Sequence, residues 1–334
     1  DHGRHGVDIL LPRSSARARR RAAASLRTAC VAVTVARAVC LRRPPHVQWP
    51  EGCRLALSFV LNFEEGGENS IELGDAHAEN FITEVPSGSP LYGARNVNTE
   101  SMYDYGSRVG VWRLLDLFDE FGFPLTIFAV GKALELNPEV GRAFAKRGHE
   151  VASHHWRWID YRDMEEQEEL DHVRRSFEII KEVTGTTPSG WYGGRTSLNS
   201  RRLAQRAGFT YDNDAYDDDL PHWTYVDGKP LLLVPYSLDN NDFKFSISPG
   251  FSSGEDFTNY LVRAFDCLYR ESREIPRMMS VGLHCRMSGK PGRTESLRKF
   301  LEHVRSHDEV WVCKRNEIAS LWAEQFPPLE VSLD

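Results

Sequence analysis

From residue 50 onward, short apolar runs and amphipathic helical patterns take turns along the chain, and this alternation limits the fold more than any other feature. Runs at 55–61, 124–130, 149–152, 209–211, 231–235 and 279–283, together with Val310-Trp311-Val312-Cys313, read as strands. Between them, apolar residues at 111, 114, 115, 118 and 121 mark one face of a helix. Asn137-Pro138 opens a short helix that Gly148 stops. Residues 164–183 read as a long charged helix with Leu170, Val173, Phe177, Ile180 and Val183 on its buried stripe. Ser253 and Asp256 form a capping box ahead of a helix over 256–270, and another helix spans 294–304. Strands that alternate with helices build a parallel sheet with the helices outside. Seven such strands predict a closed or nearly closed β/α barrel. The stretch from Gly66 to Tyr105, rich in Gly, Ser, Asn and Pro, is too long for an ordinary connection and predicts a lid or a subunit contact.

The first run, Leu55–Leu61, is apolar on both faces, as a strand covered on both sides must be, and it ends in Asn62-Phe63-Glu64-Glu65-Gly66-Gly67-Glu68. Parallel α/β folds build their sites at the carboxyl ends of strands. A pair of glutamates there is a candidate acid–base group, the competing reading being an acidic surface loop. Four further segments carry polar groups where strands finish. They are Ser153-His154-His155-Trp156-Arg157-Trp158, Trp191-Tyr192-Gly193-Gly194-Arg195, Tyr216-Asp217-Asp218-Asp219-Leu220-Pro221, and Leu283-His284-Cys285-Arg286. One such histidine or arginine is usually structural. Several, each ending a separate strand, fit the way barrels assemble active sites.

Charge divides the chain unevenly. Nine arginines and no acidic residue lie between Ile9 and Pro50, although the whole chain carries a net charge of -7. The body after residue 50 is therefore strongly acidic, which argues against nucleic acid as a partner. The Arg/Ala-rich segment 1–43 reads as a transit-like or non-native extension and stands apart from a catalytic domain over 44–334. No apolar stretch approaches the roughly 20 residues of a membrane helix. A soluble protein of the cytoplasm is expected, or of an organelle if the basic segment is a genuine transit peptide. Six cysteines without a C-x-x-C spacing suggest reduced thiols rather than a disulfide framework or a zinc ribbon.

In this order, the strand-end motifs resemble the polysaccharide deacetylase superfamily of deformed (β/α) barrels. The resemblance runs from about Arg43 to Trp322. In that superfamily the first motif is Thr-Phe-Asp-Asp-Gly and the second His-x-x-x-His. The first Asp is the base, and the second holds a divalent metal with the two histidines. Here the motifs read Asn62-Phe63-Glu64-Glu65-Gly66 and His154-x-x-x-Trp158. That wording is similar to the metal-independent allantoinase branch, as are Asp219-Leu220-Pro221-x-Trp223 and Ser280-Val281-Gly282-Leu283-His284-Cys285-Arg286. Leu198 departs from the pattern, which has Pro there.

The resemblance implies an amidohydrolase that opens the hydantoin ring of allantoin, with neither metal nor cofactor and with a cyclic ureide as its partner. Family relatives form tetramers, so a homo-oligomer is expected. An indole offers only an N–H donor and cannot replace a metal-binding imidazole. Trp158 therefore removes a ligand, and His155, next to His154 on an extended strand, should point to the opposite face, packing or facing solvent away from the site. The expected roles are Glu64 as base, with Glu65 raising one pKa of the pair by like-charge repulsion so that Glu64 works near neutral pH. His284 is the expected acid, and Arg195 and His154 hold carbonyl oxygens. Trp158 and Trp191 bind the ring, and Asp218 or Asp219 orients a histidine. The alternatives are a metal-dependent chitin-type N-deacetylase and a non-catalytic ureide-binding barrel.

Overall fold

The computed structural model describes residues 44–86 and 89–329. The basic segment 1–43 lies outside the described residues. Among the described residues, nine strands form one sheet: β1 Leu55–Phe63, β2 Leu125–Ala129, β3 Glu150–Ser153, β4 Gly190–Trp191, β5 Tyr211–Asp212, β6 His222–Val226, β7 Lys229–Leu233, β8 Arg277–His284 and β9 Val310–Val312. The order is β6-β7-β5-β4-β3-β2-β1-β8, with β9 also paired to β1. Every pairing is parallel except the hairpin β6–β7. The sheet curls into a deformed (β/α) barrel, and an isolated parallel bridge between Asn241 and Gly282 joins β8 to the chain after β7. A Cβ on Gly282 would stand 2.2 Å from the Asn241 amide and from the Tyr236 hydroxyl, so only glycine allows that approach.

All nine residues of β1 are buried. Leu57, Phe59, Leu61 and Phe63 face the helices, where Phe59 meets Phe118 and Phe300 edge-on. Val60 faces the interior with Phe128, Ala152, Tyr192 and Tyr236. A wholly apolar run is what a strand buried on both sides requires. The interior also holds the fully buried Arg315, which donates to Ser58 Oγ at 3.1 Å, to Asn213 Oδ1 at 2.5 Å and to the Pro235 carbonyl at 2.6 Å. An unpaired guanidinium could not persist there.

The strand register sets the site. Phe63 lies opposite Ala129, Ala129 opposite Ser153, Ser153 opposite Trp191 and Asn62 opposite His284. The strands thus end level, and Glu64, His154 and His284 emerge at one rim.

The expected helices are present at Val111–Phe121, Pro138–Lys146, Glu166–Thr184, Gly254–Glu271 and Pro291–Arg305. The capping box of Ser253 and Asp256 has both of its hydrogen bonds. Strand β4, implied by the strand-end segment Trp191–Arg195, has only two residues, and strand β6 was not expected. Nor was the helix Val97–Tyr105 in the supposedly irregular stretch, which runs through a π-turn at Gly106–Gly110 into Val111–Phe121. Among the described residues, no helix is long and apolar enough to cross a membrane.

Candidate active site

Glu64 follows directly on β1 and is fully buried. One carboxylate oxygen, Oε2, accepts from Arg286 Nη2 at 2.8 Å. The other, Oε1, lies 3.2 Å from His154 Nε2 and 3.4 Å from His284 Nε2. Neither approach is aligned as a hydrogen bond, and Oε1 stands without a partner. His284 is held from behind: its Nδ1 lies 2.6 Å from Asp242 Oδ1, and its backbone N–H donates to Asp242 Oδ2 at 2.8 Å. A carboxylate on Nδ1 fixes the ring and leaves Nε2 aimed at Glu64.

Burial alone would raise the pKa of Glu64, but the His284 and Arg286 charges and the His154 ring outweigh it and hold the carboxyl well below its usual range. For His284, burial opposes the charged form, yet Glu64 and Asp242 prevail and push the imidazole up to about 9. Near neutral pH the pair is therefore a carboxylate facing an imidazolium. Glu65 goes the other way. Burial first, and then the Glu64 charge, raise it against the opposing pull of Arg286. The glutamate pair does split, but the member raised is Glu65, not the expected Glu64. The charges around Glu64 decide this, because a fixed guanidinium and an imidazolium outweigh one neighbouring carboxylate.

These groups open onto a cavity of about 200 Å³ lined by Glu64, His154, Trp158, Arg195, His284, Phe81 and further side chains. Trp158 stacks on Phe81 with ring centroids 6.0 Å apart and 9° between planes. Arg195 lies 3.6 Å over the Trp158 ring and donates to Glu79 Oε2 at 3.0 Å. The segment after Glu65 covers this wall. Gly67 O accepts from Trp158 N at 2.8 Å, Ile82 O accepts from Arg286 Nε at 2.9 Å, and Phe81 O accepts from the Tyr103 hydroxyl at 3.2 Å.

Five expected residues, Glu64, His154, Trp158, Arg195 and His284, meet at the cavity. Glu65 sits behind it, with Oε2 accepting from the Glu64 N–H at 2.9 Å and Oε1 3.4 Å from Arg286 Nη1. Trp191 does not belong there. It is fully buried among His155, Phe209 and the Leu170–Leu203 cluster, because its side chain leaves β4 toward the helices. Asp218 and Asp219 are exposed, and Asp218 Oδ1 accepts from Leu220 N at 3.0 Å, closing a turn before Pro221. The carboxylate that orients a histidine is Asp242 instead. His155 packs away from the site as expected, with φ 65°, stacked on Tyr161 at 3.4 Å.

Sequence reasoning missed Arg286, Asp242, Phe81, Tyr192 and Asn241. Arg286 carried a signal: it lies two residues beyond the strand-ending histidine, in the same motif. Asp242 carried none, since only the closing bridge brings its loop to β8.

The donor set does not suit the divalent cation of the parent pattern. Such an ion needs several lone pairs converging at about 2.0–2.2 Å. Both Glu65 oxygens are engaged, Trp158 contributes no lone pair, and Arg286 already lies against both carboxylates. A guanidinium is a permanent cation whose fork suits two carboxylates.

A polysaccharide deacetylase family model matches residues 99–211. A Schizosaccharomyces pombe protein carrying the name polysaccharide deacetylase is 41% identical over 298 residues, covering 84% of this chain and 93% of that one. The crystal structure of PuuE allantoinase is 50% identical with a TM-score of 0.84, covering 86% of this chain and 96% of that one. A Pseudomonas aeruginosa structure described as a polysaccharide deacetylase is 49% identical with a TM-score of 0.84, covering 86% and 97%.

Proposed function

Starting from a chain that belongs to the polysaccharide deacetylase family, we propose that this protein is a metal-independent amidohydrolase that opens the hydantoin ring of allantoin to allantoate. The observation that carries the reading is the unpartnered Glu64 Oε1 between two imidazole Nε2 atoms, with the Arg286 guanidinium against both carboxylates. The likeness to PuuE allantoinase supports the choice of substrate. A cavity of about 200 Å³ suits one small ring.

In this reading a water rests on Glu64 Oε1 and attacks the ring carbonyl carbon. Its proton passes to Glu64 as the C–O bond forms. The imidazolium of His284 donates a proton to the ring nitrogen as the C–N bond breaks, which leaves a carboxylic acid and a free ureido nitrogen. The pairing that keeps Glu64 ionised also weakens it as a base, so the gain lies with the acid and with stabilisation of the oxyanion. Arg195 and His154 face the cavity and supply donors for carbonyl oxygens. Trp158 and Phe81 offer flat apolar surface to the ring. General acid–base catalysis contributes roughly 10²–10⁴-fold per group.

The test is a screen of allantoin, other cyclic ureides, cyclic imides and acetylated chito-oligomers with wild type and Glu64→Gln. Turnover of allantoin, lowered about 10²–10⁴-fold in the variant, is the expected result. Deacetylation of the oligomers with no ring opening would favour the deacetylase reading. Binding of a ureide without turnover would leave a binding barrel.

A further inference from the structure

Away from the cavity, three side chains with metal-binding atoms meet on the outer helical layer. Asp266 comes from helix Gly254–Glu271, His303 from the last turn of helix Pro291–Arg305, and His307 from the chain just beyond its C-cap Ser306. Each offers one ligand atom, and the three atoms lie within 4.8 Å of one another. The helix end brings the two histidines together, and the His307 N–H donates to the Val304 carbonyl at 3.1 Å. Their ring centroids are 4.6 Å apart. His307 Nδ1 lies 2.8 Å from the His303 carbonyl oxygen. Donation there fixes the tautomer and turns the Nε2 lone pair outward, the arrangement metal-binding histidines use. His303 Nε2 lies 2.8 Å from Asp266 Oδ1.

The rings are also braced. Phe265 meets His303 and His307 edge-on at 5.4 and 5.0 Å, and Tyr269 meets His307 at 4.9 Å. An ordinary surface ion pair accounts for Asp266 and His303. It does not account for a second imidazole held beside the pair by a backbone carbonyl. None of the three lines the catalytic cavity.

We propose that Asp266, His303 and His307 form a site for a divalent transition cation of the zinc class, with water completing the coordination. Two imidazoles favour such an ion over calcium or magnesium. Binding moves the His303 hydrogen from Nε2 to Nδ1, so the exchange is metal for hydrogen bond with no other reactant. The cation joins two neighbouring helices and takes no part in hydrolysis. A zinc equivalent found in the purified protein would thus belong to this site and not to Glu64.

The test is zinc titration calorimetry and cobalt absorption spectroscopy on protein without a histidine tag. Wild type is compared with His303→Ala/His307→Gln, with Asp266→Asn and with His154→Gln. Wild type should bind about one equivalent and gain thermal stability on binding. The double variant should bind roughly tenfold or more weakly, lose that gain and keep its turnover, and His154→Gln should bind as wild type does. Should the double variant fail to fold, the exposed Asp266→Asn decides, with weaker binding expected. Equal zinc affinity in wild type and Asp266→Asn, or loss of binding in His154→Gln alone, would overturn the proposal.

Discussion

Arg286 is fully buried, with Glu64 on one guanidinium nitrogen and Glu65 near another. Replacing it by Met leaves Glu65 buried without a counter-charge and Glu64 facing His284 alone. Breaking a buried pair in this way costs on the order of 3–5 kcal/mol. Urea denaturation should show that loss for Arg286→Met and a smaller one for Arg286→Lys, which keeps the charge but not the fork. The same charges fix the pH dependence. In the proposed mechanism His284 is the acid and acts only while protonated, so activity should fall as pH rises through about 9. Glu64, the proposed base, acts only while ionised, and its pKa is lowered, so the acid limb should lie below the ordinary carboxylate range. The kcat/KM profile of the free enzyme reads both limbs; a limb near pH 6–7 would contradict the assignment.

The elements show where sequence reasoning reached and where it stopped. Strand β1 and the helix Val111–Phe121 were legible because burial imposes an unbroken apolar run on one and a helical apolar stripe on the other. Helix Val97–Tyr105 was not, because it buries only Thr99, Met102 and Tyr103 and shows no stripe. The hairpin β6–β7 could have been read. Asp227-Gly228 takes positive φ at both residues, 49° and 75°, the Asp-Gly signal of a two-residue hairpin turn. Strand β4 has only two residues, too few for any periodicity. The π-turn opens on a glycine that packs against the site, since a Cβ on Gly106 would stand 2.2 Å from Glu65 Oε1. Such turns gather at functional sites. Gly106→Ala should displace Glu65 and cost about 10²-fold in kcat/KM, with the helical circular dichroism unchanged.

At the scale of the whole barrel, level strand ends turn distant motifs into one site. Residues that end β1, β3 and β8 were therefore legible as partners from their order alone. Groups delivered by loops were not. Asp242 arrives through the bridge to β8, and Phe81 through the segment after Glu65. In the parent pattern a bound ion balances the acidic end of the barrel; in the proposed reading Arg286 and protonated His284 do so from the chain itself. That replacement of an ion by two side chains is the centre of the account. The direct test measures allantoate release by protein stripped of divalent cations, in wild type and in the His303→Ala/His307→Gln background. The account predicts an undiminished rate in both. A rate abolished by stripping and restored by zinc, in the background that lacks the peripheral histidines, would contradict it.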